Sequence, residues 1–282
     1  MALALANAAA GQDLSSLAQT VRGGSVEQKR EALRIIRNLR TAEASRAALP
    51  ALRDPIEAVR ATAAASVVFL PADEAHAALV PLLSDKSAFV RKEAAYAIGA
   101  AAELSDREIG DDGEDRVASA LRTVLQRDKD AEVRAAAAVA MGQAGGIKSV
   151  WYLYFYLQGS RRDEANDFIR RSAVRSIGSL AESIRRGDKI VIVDPARSRD
   201  GQTLAKADLG RDVRAFGTAS RLLQQILQDA SESDDVRREA AWSLGNIGDR
   251  TAERALAANL NARDPYLASN CRDALQKLKL VE

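Results

Sequence analysis

The chain is poor in the residue types from which many active sites are built. It has one cysteine, one histidine and only 4% aromatic residues among 282. One cysteine excludes an internal disulfide and a cysteine-rich zinc site, and one histidine excludes a centre with several histidine ligands. We expect His76 on the surface or half buried. The chain has no G-x-S-x-G motif, which would mark a nucleophilic serine as a partner for this histidine. The sequence therefore predicts no catalytic residue, metal site or cofactor, and it favours a non-enzymatic protein.

Proline, long apolar runs and excess charge are also scarce. The six prolines and the abundant alanine favour helices, so we predict an all-α protein. No run is long and apolar enough to span a bilayer. Lys and Arg total 41 against 39 Asp and Glu, which lacks the basic excess of a dedicated nucleic-acid binder. Residues 1–10 are small and uncharged. They are interpreted either as the remnant of an export signal or, in the favoured interpretation, as the end of a cytoplasmic protein.

A short pattern, an acid followed by Val-Arg, paired alanines and a glycine, recurs along the chain. Its basic residue falls at Lys29, Arg60, Arg91, Arg134, Arg170 and Arg237. The first intervals are 31 residues, room for two helices, and a repeat of this length predicts a solenoid. We therefore predict one domain over residues 1–282, made of about seven helical hairpins with insertions at about 103–115 and 185–215.

The second helix of each hairpin has apolar residues one before the basic position and three, four and seven after it. These helices are predicted near Val26–Leu39, Ile56–Leu70, Ala88–Ala100, Ala131–Ala144, Glu164–Ile184, Asp234–Ile247 and Pro265–Leu278. Gly99, Gly142, Gly178 and Gly245 are predicted to end their helices or to allow close packing. Cys271 replaces an alanine of other repeats, so we expect a small core residue there.

The repeated unit D-x-x-x-x-V-R-x-x-A-A-x-x-L-G resembles the HEAT repeat, particularly the short form of phycobilisome-lyase-type proteins. The resemblance covers nearly the whole chain and implies an armadillo-like α-solenoid with a right-handed superhelix. It also implies a structural ladder of hydrogen bonds and ion pairs between consecutive repeats, formed by Asp54, Arg60, Asp85, Arg91, Asp128, Arg134, Arg170 and Arg237. Glu164 keeps the acid that precedes Arg170, whereas Ser231 loses the charge before Arg237, a departure typical of end repeats.

Two insertions and one aromatic run depart from the repeat. The acidic stretch 103–115 lacks the EF-hand spacing, so we expect a solvated loop there. Residues 189–206 favour a β-hairpin, either a docking arm or a cover for the solenoid. The run Trp151–Tyr156 is rich in rings that either hold this insertion down or form a patch for a protein partner.

The resemblance implies that the second helices line a concave surface. Positions one and five after the basic residue form a stripe that is basic at both ends and carries two rings, which suits an acidic peptide or helix. The predicted partner-binding residues are Lys92, Tyr96, Arg171, Arg175, Arg238 and Trp242. The leading hypothesis is a protein-interaction scaffold, and a merely solvated face is the other interpretation of the stripe.

Two alternative functions remain from the sequence. One is a subunit that resembles bilin lyases. The other is a DNA-backbone binder or glycosylase-like protein of HEAT fold, which the near-neutral total charge disfavours. The lack of paired His-Glu motifs also argues against an iron enzyme that resembles deoxyhypusine hydroxylase.

Overall fold

The structure is a computed structural model that describes residues 14–104, 116–160, 164–186 and 208–279. All regular elements in these ranges are helices, as the composition predicted. The hairpin predicted at 189–206 lies outside the described residues, as do residues 1–10 and most of the insertion 103–115. None of the described helices has the length and hydropathy that a membrane span needs.

The chain divides into two compact units, Met1–Ser105 and Asp106–Glu282. The single repeat domain over 1–282 and the right-handed superhelix therefore stay predictions. The first unit contains a helical segment over 14–23 (α1) and, in order, α2 Val26–Leu39, α3 Ala42–Ala48, α4 Glu57–Ser66, α5 Ala72–Leu79 and α6 Ala88–Glu103. Short 3-10 turns, Leu49–Arg53 and Val80–Ser84, extend α3 and α5.

In residues 116–160, 164–186 and 208–279, the second unit forms four helical hairpins and one short connecting helix. Its elements are α7 Arg116–Arg127, α8 Ala131–Ala144, α9 Ile147–Gly159, α10 Glu164–Arg186, α11 Leu209–Asp212, α12 Arg214–Gln228, α13 Asp234–Ile247, α14 Glu253–Ala257 and α15 Pro265–Leu278. Because residues 185–186 belong to α10 and residues from 214 belong to α12, the second insertion is shorter than predicted.

Local caps explain why several second helices begin where the sequence predicted. Ser25 forms a capping box with Gln28 at the start of α2. The Ser233 side chain accepts a hydrogen bond from the Val236 amide, and Asp264 accepts from the amides of Tyr266 and Leu267. These short polar residues satisfy backbone donors that a helix start otherwise leaves open.

Consecutive second helices pack side by side, α2 on α4 and α4 on α6 in the first unit, and α8, α10, α13 and α15 in that order in the second. The glycines that we considered as helix ends lie inside these helices. Gly178 of α10 approaches the backbone of α13 so closely that an added Cβ would stand 2.7 Å from the Ser243 Cα. Gly142 approaches Ser176, and Gly245 approaches Ala274, in the same way. The helix-end interpretation is wrong, and close packing explains the glycines.

The one histidine and the one cysteine of the chain are both buried. His76 of α5 is buried, with Nε2 3.3 Å from the Ile98 carbonyl oxygen of α6, so the expectation of a surface or half-buried histidine is wrong. Cys271 of α15 is fully buried, and burial raises the pKa of its thiol to about 11. Both positions serve the helix packing.

Candidate functional site

In the first unit, ion pairs connect α2 and α4 to the loop of the next repeat. Lys29 contacts Asp54 at 2.7 Å, and Arg60 donates two hydrogen bonds of 2.8 Å to Asp85. Burial would raise the pKa of Asp54, but hydrogen bonds from Lys29 and the Ile56 amide outweigh it, so the pKa is lowered. The Asp85 pKa is lowered mainly by the hydrogen bond from Arg60. Both carboxylates are therefore held as anions between repeats.

Each ladder arginine also binds the loop that leads into its own helix. The guanidinium groups of Arg91 and Arg134 donate to the carbonyl oxygens of Asp85 and Asp128, at 2.9 and 2.8 Å. Arg60 donates in the same way to the Asp54 carbonyl at 2.9 Å. These bonds fix the turn between the two helices of a repeat.

Arg170 has the most enclosed guanidinium of the described residues. It is 1% exposed and donates to Glu232, to the Leu157 carbonyl at 3.0 Å and to Ser160 Oγ at 2.7 Å. The sequence interpretation, in which the charge is lost at Ser231, missed that the acid stands one residue later at Glu232. Arg237 donates to the Leu227 carbonyl at 3.1 Å and to Asn259 at 3.0 Å.

Four of the six predicted partner-binding residues lie together on α10 and α13 of the second unit. Arg171 contacts Asp235 at 3.2 Å, and Arg175 contacts Glu239 at 3.1 Å. Arg238 forms a bidentate ion pair with Asp264, with N···O distances of 2.6 and 3.0 Å. These hydrogen bonds lower the pKa of the Asp264 carboxyl. We call this part of α10, α13 and the start of α15 the second-helix surface.

Aromatic rings alternate with these ion pairs. The Arg175 guanidinium lies 3.6 Å from the centroid of the Trp242 ring, a close cation–π contact. Arg171 lies over Phe168 at 5.1 Å, and Arg238 lies over Tyr266 at 5.2 Å. Tyr266 is 69% exposed. The side chains of Arg171, Asp235, Arg238, Glu239, Tyr266 and Asn270 line an open groove of about 300 Å³.

The second-helix surface is thus less basic than its arginines suggested. Arg171, Arg175 and Arg238 each contact a carboxylate, so positive and negative charges alternate across this surface. Ala135 follows Arg134 and so stands on the stripe that was predicted to be exposed, but it is fully buried.

Lys92 and Tyr96 lie on α6 of the first unit. Lys92 Nζ stands 6.0 Å from the Phe89 ring centroid, and Tyr96 is partly exposed. The structure describes these two residues within their own unit, and their proposed role stays a prediction.

A sequence signal for three further rings was overlooked. Phe89 and Phe168 stand two positions before Arg91 and Arg170, Tyr266 stands two before Ala268, which takes the place of the basic residue in the last repeat, and all three rings are exposed. Each has a Lys or Arg side chain over its ring. Asp235 as the partner of Arg171, Glu239 and Asp264 carried no comparable signal, because each lies 26 or 64 residues from its arginine in the chain.

The residues that the structure describes give little evidence of a catalytic or metal-binding role. Across 14–104, 116–160, 164–186 and 208–279, no group of three His, Cys, Asp or Glu side chains is arranged to hold a metal ion. The guanidinium groups, amides and rings of the second-helix surface can bind a partner through hydrogen bonds, ion pairs and stacking.

Comparisons with known proteins agree with the repeat architecture. The model of the PBS lyase HEAT-like repeat matches residues 236–262, which cover α13 and α14. A comparison with curated proteins found no match.

Several solved structures are similar in fold at low identity. The complex of CpcE and CpcF of phycocyanin lyase from Nostoc sp. PCC7120 is 15% identical, with 94% of each chain covered and a TM-score of 0.47. A designed armadillo repeat protein in complex with the peptide (KR)4 is 17% identical, with 94% of this chain and 99% of that chain covered and a TM-score of 0.45. Human deoxyhypusine hydroxylase is 18% identical, with 98% and 99% covered and a TM-score of 0.40. The chain is built from HEAT-like repeats, and residues 236–262 match the form of the repeat found in PBS lyases.

Proposed function

We propose that this protein is a non-enzymatic interaction scaffold that binds a protein partner on the second-helix surface. The observation that carries the proposal is that Arg171, Arg175 and Arg238 each lie against an aromatic ring on one surface, where Arg171, Arg238 and the exposed Tyr266 also line a groove. Arginine, tryptophan and tyrosine are the residues that most often dominate the binding energy of protein interfaces. Their concentration on one surface, in a chain with 4% aromatic residues, favours binding as its role.

The ion pairs prepare the arginines for binding. Asp235, Glu239 and Asp264 hold the guanidinium groups in fixed positions over the rings, so fewer side-chain rotamers are lost when a partner binds. The price is a weaker attraction for a purely acidic ligand, because each arginine already contacts a carboxylate. The partner that suits the groove therefore presents both hydrogen-bonding groups and an apolar anchor.

The same pairing disfavours the alternative of a DNA-backbone binder. Phosphate contacts on this surface would have to displace Asp264 from Arg238 and Glu239 from Arg175. Carboxylates in the groove would also repel the phosphates that approach it. The proposed partner is a protein or peptide.

A photo-crosslinking experiment tests the proposal. A benzoylphenylalanine in place of Tyr266 should crosslink in native lysate to a defined protein, which mass spectrometry identifies. The same probe in place of the exposed Asn261, outside the groove, should not capture that protein.

A matched pair of variants assigns the contact to the second-helix surface. Arg175→Glu with Trp242→Ala should reduce capture by about 30-fold or more, the loss of a hot spot of about 2 kcal/mol. Arg254→Glu, an equal charge reversal on α14, should leave capture unchanged. Far-UV circular dichroism checks that helicity is kept. If capture persists in the double variant, the second-helix surface is not the binding site.

A further inference from the structure

The opposite side of the second unit differs sharply in charge from the second-helix surface. The first helices α7, α9 and α12 contain no aspartate or glutamate. They carry basic residues instead, namely Arg116, Arg122, Arg127, Lys148, Arg214 and Arg221. These three helices lie next to one another, with α9 between α7 and α12.

The arginines of these helices lack the carboxylate partners that the second-helix arginines have. Among residues 116–160, 164–186 and 208–279, Arg122 forms no ion pair and contacts only the Tyr152 ring, at 4.9 Å. Arg221 donates only to the Thr218 hydroxyl at 3.3 Å, within its own helix. These two charges are therefore not balanced by a carboxylate of the described residues, whereas Arg171, Arg175 and Arg238 each contact one.

The central helix α9 adds a compact cluster of rings. Trp151, Tyr152 and Phe155 share one side of α9 by their spacing of three and four residues, while Leu153 and Leu157 face the core. The Trp151 and Phe155 rings stack at 6.1 Å, and Tyr154 contacts both edge-on at 5.9 and 5.2 Å. Phe155 is 58% exposed. A ring cluster of this kind outside the core is an uncommon feature of a free surface.

We propose that this first-helix face, the rings of α9 with Arg122 and Arg221 at its two sides, is a second docking surface for an acidic segment of a partner protein. The charge of the face requires a negative partner, and its centre requires an apolar anchor beside the carboxylates. The protein would then hold two partners on opposite sides of the same helical hairpins.

The geometry favours a protein over other anionic partners. A single-stranded nucleic acid binds by stacking its bases on separate rings, whereas Trp151 and Phe155 already stack on each other. An anionic membrane suits a broad apolar face, but the exposed residues of α7, α9 and α12 include Gln126, Gln158 and Gln225. Glutamine amides pair well with the backbone and side chains of a protein segment.

Three fluorescent amphipathic peptides test the proposal against the full chain at low salt. They share leucines at helical spacing and differ only in having Glu, Gln or Lys at the remaining positions. The Glu peptide should bind at least about tenfold more tightly than the Gln peptide, and added salt should weaken it. Equal binding of the Glu and Gln peptides would overturn the proposal.

Variants separate this face from the second-helix surface. Arg122→Glu with Arg221→Glu should abolish binding of the Glu peptide, and Phe155→Ser should weaken it by about tenfold. Arg175→Glu with Trp242→Ala should leave it unchanged, so each surface fails independently of the other. Oligo(dT) or phosphatidylserine vesicles that bind more tightly than the Glu peptide, and lose binding in the Arg122/Arg221 variant, would overturn the assignment to a protein.

Discussion

The replacement Gly178→Ala measures how closely two second helices must approach. The added methyl group would stand 2.6 Å from Trp242 Cζ3 and 2.7 Å from the Ser243 Cα. The indole can rotate, but the Cα belongs to the backbone of α13 and cannot move without shifting that helix. The clash must therefore be relieved by separating α10 from α13.

The expected magnitude follows from two opposing effects. Overpacking of a tight core costs about 1–3 kcal/mol, and a backbone contact places this site near the upper end. Alanine in place of a helical glycine gains about 1 kcal/mol of helix propensity. We expect Gly178→Ala to lower the free energy of unfolding by about 1–2 kcal/mol.

Gly159, the last residue of α9, supplies the matched control. An added Cβ there meets no atom within 4 Å, so only the propensity gain remains, reduced by its place at the helix end. Urea unfolding followed by far-UV circular dichroism should place Gly159→Ala at or slightly above the parent chain, and Gly178→Ala clearly below. A Gly178→Ala chain as stable as the parent would refute the packing explanation of the repeated glycines.

Three further predictions concern the repeat contacts and the core. Glu232→Ala should lower the free energy of unfolding by about 3–5 kcal/mol because it strands a buried guanidinium, whereas Glu239→Ala, in an exposed pair, should cost about 0–1. The pKa of Asp85 is lowered from 3.8, so its stabilisation is lost as pH falls through the folded value, and Asp85→Asn should flatten acid unfolding curves. Cys271, whose pKa is about 11, should react with iodoacetamide at pH 8 only after unfolding.

The helices could be predicted well because their signals are local. The predicted bounds of Val26–Leu39, Ala131–Ala144, Asp234–Ile247 and Pro265–Leu278 agree with the structure. The bounds of a helix can be predicted from capping residues within three residues of its first residue and from apolar residues at helical spacing. From the sequence alone, a repeated glycine can either end a helix or allow close packing, and only the position of the neighbouring helix distinguishes the two.

The charge of the second-helix surface could not be predicted in the same way. Arg171 and Asp235 are 64 residues apart in the chain, and the pair depends on the register between α10 and α13. The stripe was counted along single helices, so its arginines were visible and the opposing acids were not. Asp264 was equally hidden, because it serves as the cap of α15 as well as the partner of Arg238.

The net charge of +2 does not show that acidic residues are unevenly distributed between the first and second helices. In the second unit the acids that neutralise arginines stand on or beside the second helices, where they hold consecutive repeats in register. The first helices α7, α9 and α12 have no such acids, and their packing relies on apolar side chains such as Leu121, Leu153 and Leu223. Their arginines are therefore not needed for helix-to-helix ion pairs. Charged side chains that form no ion pair between repeats can instead contact a partner. We therefore expect charge-driven binding on the side of a repeat protein that has fewer internal ion pairs.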